Sequence, residues 1–309
     1  MSDEEDAAPG KRPDAQPREE WHTAAGPDVV DVADWSAPPL GSVKGRLDVP
    51  SGRLASISAG QPGGDSIVLV PGVTGSKEDF SLMMPRLSQA GYRVLSFDLA
   101  GQYESADAGP ERLVPPRAHY DYALFVDDLI CILEARDSPS HVLGYSFAGI
   151  VAQLTLVQRP DLFSSLTLLS SPPQLGKAFR GVPLLGALSA HLNGRLQAAL
   201  VIMAIRCNIK RVPPSRLRFV RHRFAQTRGR SVRDVFELMQ RSPDLRDAVR
   251  RAPVPKLVAV GEHDVWPLAL HRRFAAEIDA RLSVYPGGHS PCETSPDELT
   301  RDLLRLIRP

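Results

Sequence analysis

Short apolar stretches rich in β-branched residues alternate along this chain with longer stretches whose apolar residues recur every three or four positions. The first type predicts buried strands, because continuous apolar runs suit a parallel sheet that is covered on both faces. The second type, as in residues 122–133, predicts amphipathic helices. The strand-like stretches are residues 53–59, 66–72, 92–98, 141–146, 164–171, 256–264 and 281–288. This alternation predicts an α/β fold with a mostly parallel, twisted sheet of about eight strands and helices on both faces.

The alternation is interrupted once, in residues 172–252. No strand-like stretch occurs there, but several helical patterns do, such as SVRDVFELMQ at residues 231–240. We therefore predict a helical cap (lid) over residues 172–252, inserted after the sixth strand of a core domain formed by residues 43–171 and 253–309. Residues 1–42 contain ten acidic and three basic side chains and little apolar periodicity. They are predicted to be a disordered acidic N-terminal tail, because they bury too little apolar surface to offset the entropy of ordering.

The predicted cap is strongly basic, with 17 Lys or Arg against four Asp or Glu, although the whole chain has a formal net charge of only +1. One interpretation is that the cap steers anionic substrates, or associates weakly with anionic membrane surfaces. The other, which we favour, is an ordinary solvated face rich in arginine. The near-zero net charge does not indicate a nucleic-acid partner.

The chain has none of the patterns expected for export or membrane insertion. It begins with an acidic segment where a secretory signal would be basic and then apolar. Its most apolar stretch, residues 196–205, is bounded by arginines and is far shorter than the roughly 20 residues that span a bilayer. Three widely separated cysteines form no disulfide or zinc pattern. We expect a cytoplasmic protein without a membrane-spanning segment.

A serine flanked by small residues, Ser146, lies where the strand at residues 141–146 meets the next helix. The segment reads GYSFAG, with Gly144 two positions before the serine and Ala148 two positions after it. A serine in a tight strand-to-helix turn needs such neighbours, because its backbone is strained and the adjacent turns crowd it. An ordinary Gly/Ser turn is the alternative interpretation.

Two further polar residues follow predicted strands. Asp264 ends one strand-like stretch, and His289 lies in the glycine-containing loop after the last. Parallel strands bring the residues that follow them to one edge of the sheet. Alone, the aspartate could be a turn former and the histidine a surface residue. Together, in the order Ser, Asp, His, they predict a catalytic triad, because a serine nucleophile needs a base and a carboxylate to orient it. His263 is a competing base, but it neighbours Asp264 on the same turn and is interpreted as structural.

These motifs resemble the α/β-hydrolase family over about residues 43–309, apart from the variable insertion. The family's nucleophile elbow is G-x-S-x-G, and this chain departs from it only in having Ala148 at the second glycine. The resemblance implies an α/β-hydrolase fold with Ser146 as nucleophile. A serine at that position argues against the haloalkane dehalogenases and epoxide hydrolases of this fold, which have aspartate there.

The resemblance also implies an oxyanion hole. Where the family has H-G-x-x-G, this chain reads PGVTG at residues 71–75. By that match, the backbone N–H groups of Val73 and Phe147 hold the oxyanion. Pro71 replaces the usual histidine, so contacts from that ring are missing while the backbone donors remain. Asp98, in a weaker match to a family motif, is interpreted as a residue that anchors a turn.

The sequence thus predicts a serine hydrolase of the esterase type (EC 3.1.1) acting on a small-molecule acyl substrate through an acyl-enzyme. This chemistry requires no metal or organic cofactor. The same residues would serve hydrolysis of a thioester, lactone or C–C bond, or acyl transfer. Two alternatives from other classes stay open: a hydrolase-like receptor that holds a ligand without turnover, and a nucleic-acid binder using the basic cap.

Overall fold

The computed structural model describes residues 19–22, 34–173 and 214–308. The described strands are β1 (Glu19–Trp21), β2 (Ser42–Val49), β3 (Gly52–Ala59), β4 (Ser66–Val70), β5 (Arg93–Phe97), β6 (Ser140–Tyr145), β7 (Phe163–Leu169), β8 (Lys256–Gly261) and β9 (Arg281–Tyr285). They form one nine-stranded sheet in the order β1-β9-β8-β7-β6-β4-β5-β3-β2. Strand β3 pairs antiparallel with β2 and β5, and every other pairing is parallel. The predicted mostly parallel sheet is confirmed, with nine strands in place of about eight.

Helices follow most of the parallel strands. They are α1 (Met84–Gln89), α2 (Tyr122–Glu134), α3 (Phe147–Gln158), α4 (Pro214–Gln226), α5 (Gly229–Gln240), α6 (Arg246–Arg251), α7 (Leu268–Glu277), α8 (Pro291–Thr294) and α9 (Pro296–Ile307). Short 3₁₀ turns occur at Lys77–Phe80, Tyr103–Ser105, Pro110–Arg112 and Pro160–Leu162. No helix in the described part of the chain is long and apolar enough to cross a membrane.

Strand β4 illustrates how the apolar runs build two layers of core. All five of its residues are buried. Val68 and Val70 join the cluster packed by α2, α3 and α7, whereas Ile67 and Leu69 join the cluster packed by α1 and α9. Successive side chains of a strand point to opposite faces, so a continuously apolar strand needs a helical layer on each side.

Part of the predicted tail has a defined place in the sheet. Strand β1 pairs in parallel with β9 at the sheet edge, and Arg272 of α7 donates hydrogen bonds of 2.9–3.0 Å to both carboxylate oxygens of Glu19. Trp35 is buried, with only 2% of its surface exposed. Composition does not register pairing with a distant strand, so these contacts had no signal in the sequence. The tail over residues 1–42 as a whole stays a prediction.

The predicted cap falls partly outside the described residues, which omit 174–213. Its described portion contains α4, α5 and α6 and no strand. Helix α5 begins at Gly229, earlier than residues 231–240 suggest. The Ser231 hydroxyl in this helix donates to the carbonyl of Ala100 (3.1 Å) and joins the helix to the core.

The Asp128→Asn variant is expected to lose a pH dependence of stability that the wild type has. The buried Asp128 carboxylate accepts hydrogen bonds from the Ser51 N–H (3.0 Å) and hydroxyl (2.6 Å). Burial raises the pKa of Asp128 from 3.8 to about 7. The folded state thus binds the proton more tightly, and the stability from this group is complete below the unfolded pKa and is lost as pH rises through about 7.

A carboxamide does not ionise, so the free energy of unfolding of Asp128→Asn should fall less than that of the wild type over this pH range. We expect the difference to be about 1–4 kcal/mol, at about 1.4 kcal/mol per unit of pKa. Urea denaturation at both ends of the range measures it. Asp107→Asn, at an exposed position, is the matched control and should follow the wild type. Parallel behaviour of Asp128→Asn and wild type would contradict the prediction.

Candidate active site

Ser146 occupies a strained turn between β6 and α3. Its φ of 53° and ψ of −120° lie where residues other than glycine are rare, and strain of this kind is characteristic of functional sites. A Cβ at Gly144 would lie 2.5 Å from the carbonyl oxygen of Ala148, and one at Gly149 would lie 2.3 Å from the hydroxyl of Ser171. The turn is therefore crowded on both sides, and it accommodates the buried alanine at the position where the family motif has glycine.

The side chains of Asp264 and His289 meet Ser146 at the carboxyl edge of the sheet. His289, in the loop between β9 and α8, places its Nε2 3.2 Å from the Ser146 hydroxyl. Its Nδ1 lies 3.0 Å from a carboxylate oxygen of Asp264, which follows β8. His263, the competing base, is 77% exposed and lies 3.6 Å from the Glu262 carboxylate. The structure thus brings the predicted serine, histidine and aspartate into one hydrogen-bonded chain.

The Asp264 carboxylate is almost completely buried, with 1% of its side chain exposed. Burial alone would raise its pKa, but the charge and hydrogen bond of His289 bring it below its ordinary value, with smaller contributions from His271 and Ser170. An aspartate in this state remains ionised at neutral pH and can stabilise a protonated imidazole. Its second oxygen lies 3.9 Å from Nε2 of His271, a fully buried residue of α7.

His271 is not among the site residues that the sequence predicts. Burial lowers its pKa to about 4, so the ring is neutral near pH 7. The only signal was a histidine on the buried side of the helix that follows Asp264, and such a histidine is usually a packing residue.

The loop after β4 lies directly against Ser146. A Cβ at Gly72 would be 2.9 Å from the Cβ of Ser146, so only glycine allows this approach. Val73 follows in this loop, and Phe147 is the first residue of α3. No acceptor among the described residues takes the N–H of Val73 or of Phe147. A helix N-terminus and a neighbouring free N–H are the groups that favour negative charge.

Asp98 is placed away from this hydrogen-bonded chain. It follows β5, and its carboxylate accepts the Lys77 N–H (2.9 Å) and ammonium (3.1 Å). Lys77 is fully buried and also pairs with Glu78 and Glu104. These contacts agree with the interpretation of Asp98 as an anchor for a turn. The buried lysine had no signal in the sequence.

One group of side chains in the described residues is spaced closely enough to hold a metal ion: Glu20, His22 and Asp302, with ligand atoms within 4.8 Å of one another. It lies where β1 meets α9. His22 contacts Asp302 at 2.7 Å, and Arg305 donates to Glu20 at 2.7 Å. Since a guanidinium already neutralises the carboxylates, these contacts are those of an ion-pair network.

The model of the family described as "Alpha/beta hydrolase family" matches residues 67–302. The chain belongs to the alpha/beta hydrolase family. The matched range runs from β4 to α9 and includes Ser146, Asp264 and His289. Membership supports an enzyme of the hydrolase class, as the motifs predicted.

Known relatives of this alpha/beta hydrolase include a protein named "Putative carbamate hydrolase RutD" from Variovorax paradoxus (strain S110). It is 26% identical over 262 residues, which are 80% of this chain and 93% of the relative. A hydrolase structure from Pseudomonas aeruginosa PA01 has a TM-score of 0.70 at 23% identity and covers 86% of this chain and 98% of that one. The enol-lactonase of Burkholderia xenovorans LB400 has a TM-score of 0.68 at 18% identity, with 86% and 100% covered. These structural likenesses confirm the predicted α/β-hydrolase fold.

Proposed function

We propose that this protein hydrolyses a carboxylic ester or a related acyl bond of a small molecule, with Ser146 as nucleophile, His289 as base and Asp264 as orienting carboxylate. The observation that carries the proposal is the continuous chain of contacts from Asp264 through His289 to Ser146, with distances of 3.0 and 3.2 Å. This geometry suits proton removal from a serine hydroxyl, because a base must lie within hydrogen-bond reach of the proton that it takes.

In the first half of the reaction, the Ser146 oxygen forms a bond to the acyl carbon while its proton moves to Nε2 of His289. The carbonyl electrons become an oxyanion, which the N–H groups of Val73 and Phe147 stabilise. Collapse of this intermediate breaks the bond to the leaving alcohol, which takes the proton from His289. Water then attacks the acyl-enzyme by the same steps and releases the acid, restoring Ser146.

The ionised state of Asp264 supports this assignment of roles. Protonated His289 carries a positive charge during each half-reaction, and a buried carboxylate 3.0 Å away stabilises that charge. The lowered pKa of Asp264 keeps its negative charge available at neutral pH. A carboxylate in this position also holds the tautomer of His289 that presents an unprotonated Nε2 to the serine.

The bond that is cleaved follows less directly from these residues. A thioester, a lactone, a carbamate or a C–C bond would pass through the same acyl-enzyme, and the names of the relatives span several of these classes. Pocket contacts decide among such substrates, and the fold by itself does not. We place a carboxylic ester first because the proton carried by His289 is sufficient to expel its alcohol, whereas cleavage of a C–C bond also requires stabilisation of the departing carbanion.

The proposal is tested with a fluorophosphonate probe and a series of p-nitrophenyl esters of increasing acyl length. The wild type should be labelled at one serine and should hydrolyse at least part of the series. Ser146→Ala should lose the labelling and at least about 10³-fold of the turnover, because the covalent intermediate cannot form.

Ser58→Ala, which changes an exposed serine of β3, is the control and should match the wild type in both assays. Labelling of Ser146 without turnover of esters, thioesters, lactones or carbamates would contradict hydrolysis and favour a ligand-holding receptor. Labelling that persists in Ser146→Ala would contradict the choice of nucleophile.

A further inference from the structure

Two arginines of helix α4 are buried against the segments that follow β4 and β9, near Ser146. Arg216 is 2% exposed and Arg223 is 5% exposed. Burying a guanidinium is costly unless carboxylates surround it, and here Asp79 and Glu293 supply them. Both arginines belong to the basic segment that we interpreted as a solvated face. These two side chains are instead buried, with their charges facing the protein interior.

Asp79 determines the shape of the loop that follows β4. One of its oxygens accepts the N–H of Ser76 (3.1 Å) and would lie 2.6 Å from a Cβ at Gly75. Gly75 in turn donates its N–H to the carbonyl of Gly72 (3.0 Å), the residue packed against Ser146. The carboxylate of Asp79 therefore supports the same loop that presents Val73 to the site.

Glu293 supports the loop that carries His289. It lies in α8, and its N–H donates to the carbonyl of Ser290 (2.9 Å), the residue after the histidine. The hydroxyl of Ser290 lies 2.8 Å from that of Tyr145, which precedes Ser146. The ring of Tyr145 is 5.3 Å from the ring of His289.

Arg216 joins these two supports. Its Nη2 donates a hydrogen bond to the Asp79 carboxylate at 2.7 Å. Its Nε donates to the Glu293 carboxylate at 3.1 Å, and Nη2 donates to the other oxygen of Glu293. Trp35 and Phe219 cover the guanidinium at 4.4 and 5.1 Å. A planar fork is required here, because a single guanidinium must engage two carboxylates from different loops at once.

The neighbouring Arg223 completes the charge balance. It donates to the Ser76 hydroxyl at 3.1 Å and to Asp79 at 2.5 Å. Two positive and two negative side chains therefore share the cluster. Burial would raise the pKa of Asp79, but the charges of Arg223 and Arg216 hold it below its usual value. Of these two arginines, Arg216 is the one that also contacts Glu293, so its guanidinium bridges the carboxylates of the two loops.

We propose that Arg216 is a positioning residue that ties the loop presenting Val73 to the loop carrying His289. The inference rests on the proposed function, since the relative placement of these loops matters for hydrolysis through Ser146. Without the tie, Asp79 keeps Arg223 as a partner, whereas Glu293 loses its buried cation. The loop of His289 is then held less closely against Ser146, and displacements of about 1 Å cost up to about 100-fold in rate.

The test compares Arg216→Gln, Arg216→Lys and Glu293→Gln with Arg218→Gln, a control at an exposed position of the same helix. Arg216→Gln should lower kcat about 10- to 100-fold while KM changes less than about threefold, because the reacting groups and not the substrate contacts are displaced. Arg216→Lys should be intermediate, since an ammonium lacks the fork. Glu293→Gln should resemble Arg216→Gln, and the double variant should be no slower than the slower single variant.

A second measurement needs no substrate. In protein labelled with ¹⁵N-histidine, the ring signals of His289, assigned by their loss in His289→Gln, should shift or broaden in Arg216→Gln and Glu293→Gln and stay unchanged in Arg218→Gln. Thermal unfolding identifies any variant that fails to fold. If Arg216→Gln does not fold, the same two measurements on Glu293→Gln test the proposal.

The outcomes separate this inference from the proposed function. If the wild type has no turnover but the His289 signals respond as described, the tie is supported and hydrolysis is not. If the His289 signals are unchanged in Arg216→Gln and Glu293→Gln, the tie is overturned whether or not the wild type has turnover. Additive losses in the double variant would also overturn it, since the two residues would then act independently.

Discussion

The His289→Gln variant is expected to hydrolyse its best ester at least about 10³-fold more slowly than the wild type, with a much smaller change in KM. Glutamine occupies similar space but cannot take the proton of Ser146, so the loss should be in the chemical step. The side chain is partly exposed, at 19%, and its replacement should leave the free energy of unfolding nearly unchanged. Steady-state kinetics and urea denaturation of the same preparations measure both quantities.

His263→Gln is the matched control for this prediction. It changes a histidine one position before Asp264 whose side chain is 77% exposed. Its kcat and KM should equal those of the wild type. A large loss in this control together with activity retained in His289→Gln would exchange the roles of the two histidines and contradict the assignment of the base.

The Gly261→Ala variant is expected to be strongly destabilised and nearly inactive. Gly261 ends β8, and a Cβ there would lie 1.9 Å from the carbonyl oxygen of Gly288 and 2.7 Å from that of Gly287. Both obstacles are backbone atoms of the loop that carries His289, so no side-chain rotation relieves the clash. The two loops must separate, which also breaks the hydrogen bond from the His263 N–H to Gly287 (3.0 Å).

We expect Gly261→Ala to lose about 3 kcal/mol of unfolding free energy, the upper end of the range for forced overpacking, because the atoms it meets belong to the backbone. Any folded fraction should be at least about 10-fold less active, because His289 moves away from Ser146. Gly229→Ala is the control: a Cβ there meets no atom within 4 Å, and alanine suits the first turn of α5. If urea denaturation places the unfolding free energy of Gly261→Ala within about 0.5 kcal/mol of the wild type, the prediction is wrong, because the loop then moves without loss of stability.

The serine, aspartate and histidine were predictable because each follows a strand, and parallel strands deliver the residues that follow them to one edge. Three residues some 25 to 143 positions apart therefore converge, as their contacts demonstrate. The small residues around Ser146 were predictable for a local reason, since the strained turn needs them wherever it occurs.

Other parts of the site had no local signal. Arg216 looked like one arginine among 17 basic residues of the predicted cap, and its burial depends on Asp79 and Glu293, which are far away in the sequence. No sequence pattern singled out His271 or Gly261 either, because a buried histidine and a strand-ending glycine occur for many structural reasons. The place of β1 at the sheet edge depends on pairing with β9, which composition does not reveal.

The amino-acid sequence by itself determined the alternation of strands and helices, the mostly parallel sheet, and the three polar residues that follow its strands, because these depend on periodicity and chain order. Only the tertiary structure decided where the buried arginines of α4 are neutralised and how closely the loops of Gly72 and Gly288 approach their neighbours. Those properties depend on contacts between distant segments, and the distances involved exist only once the chain has packed.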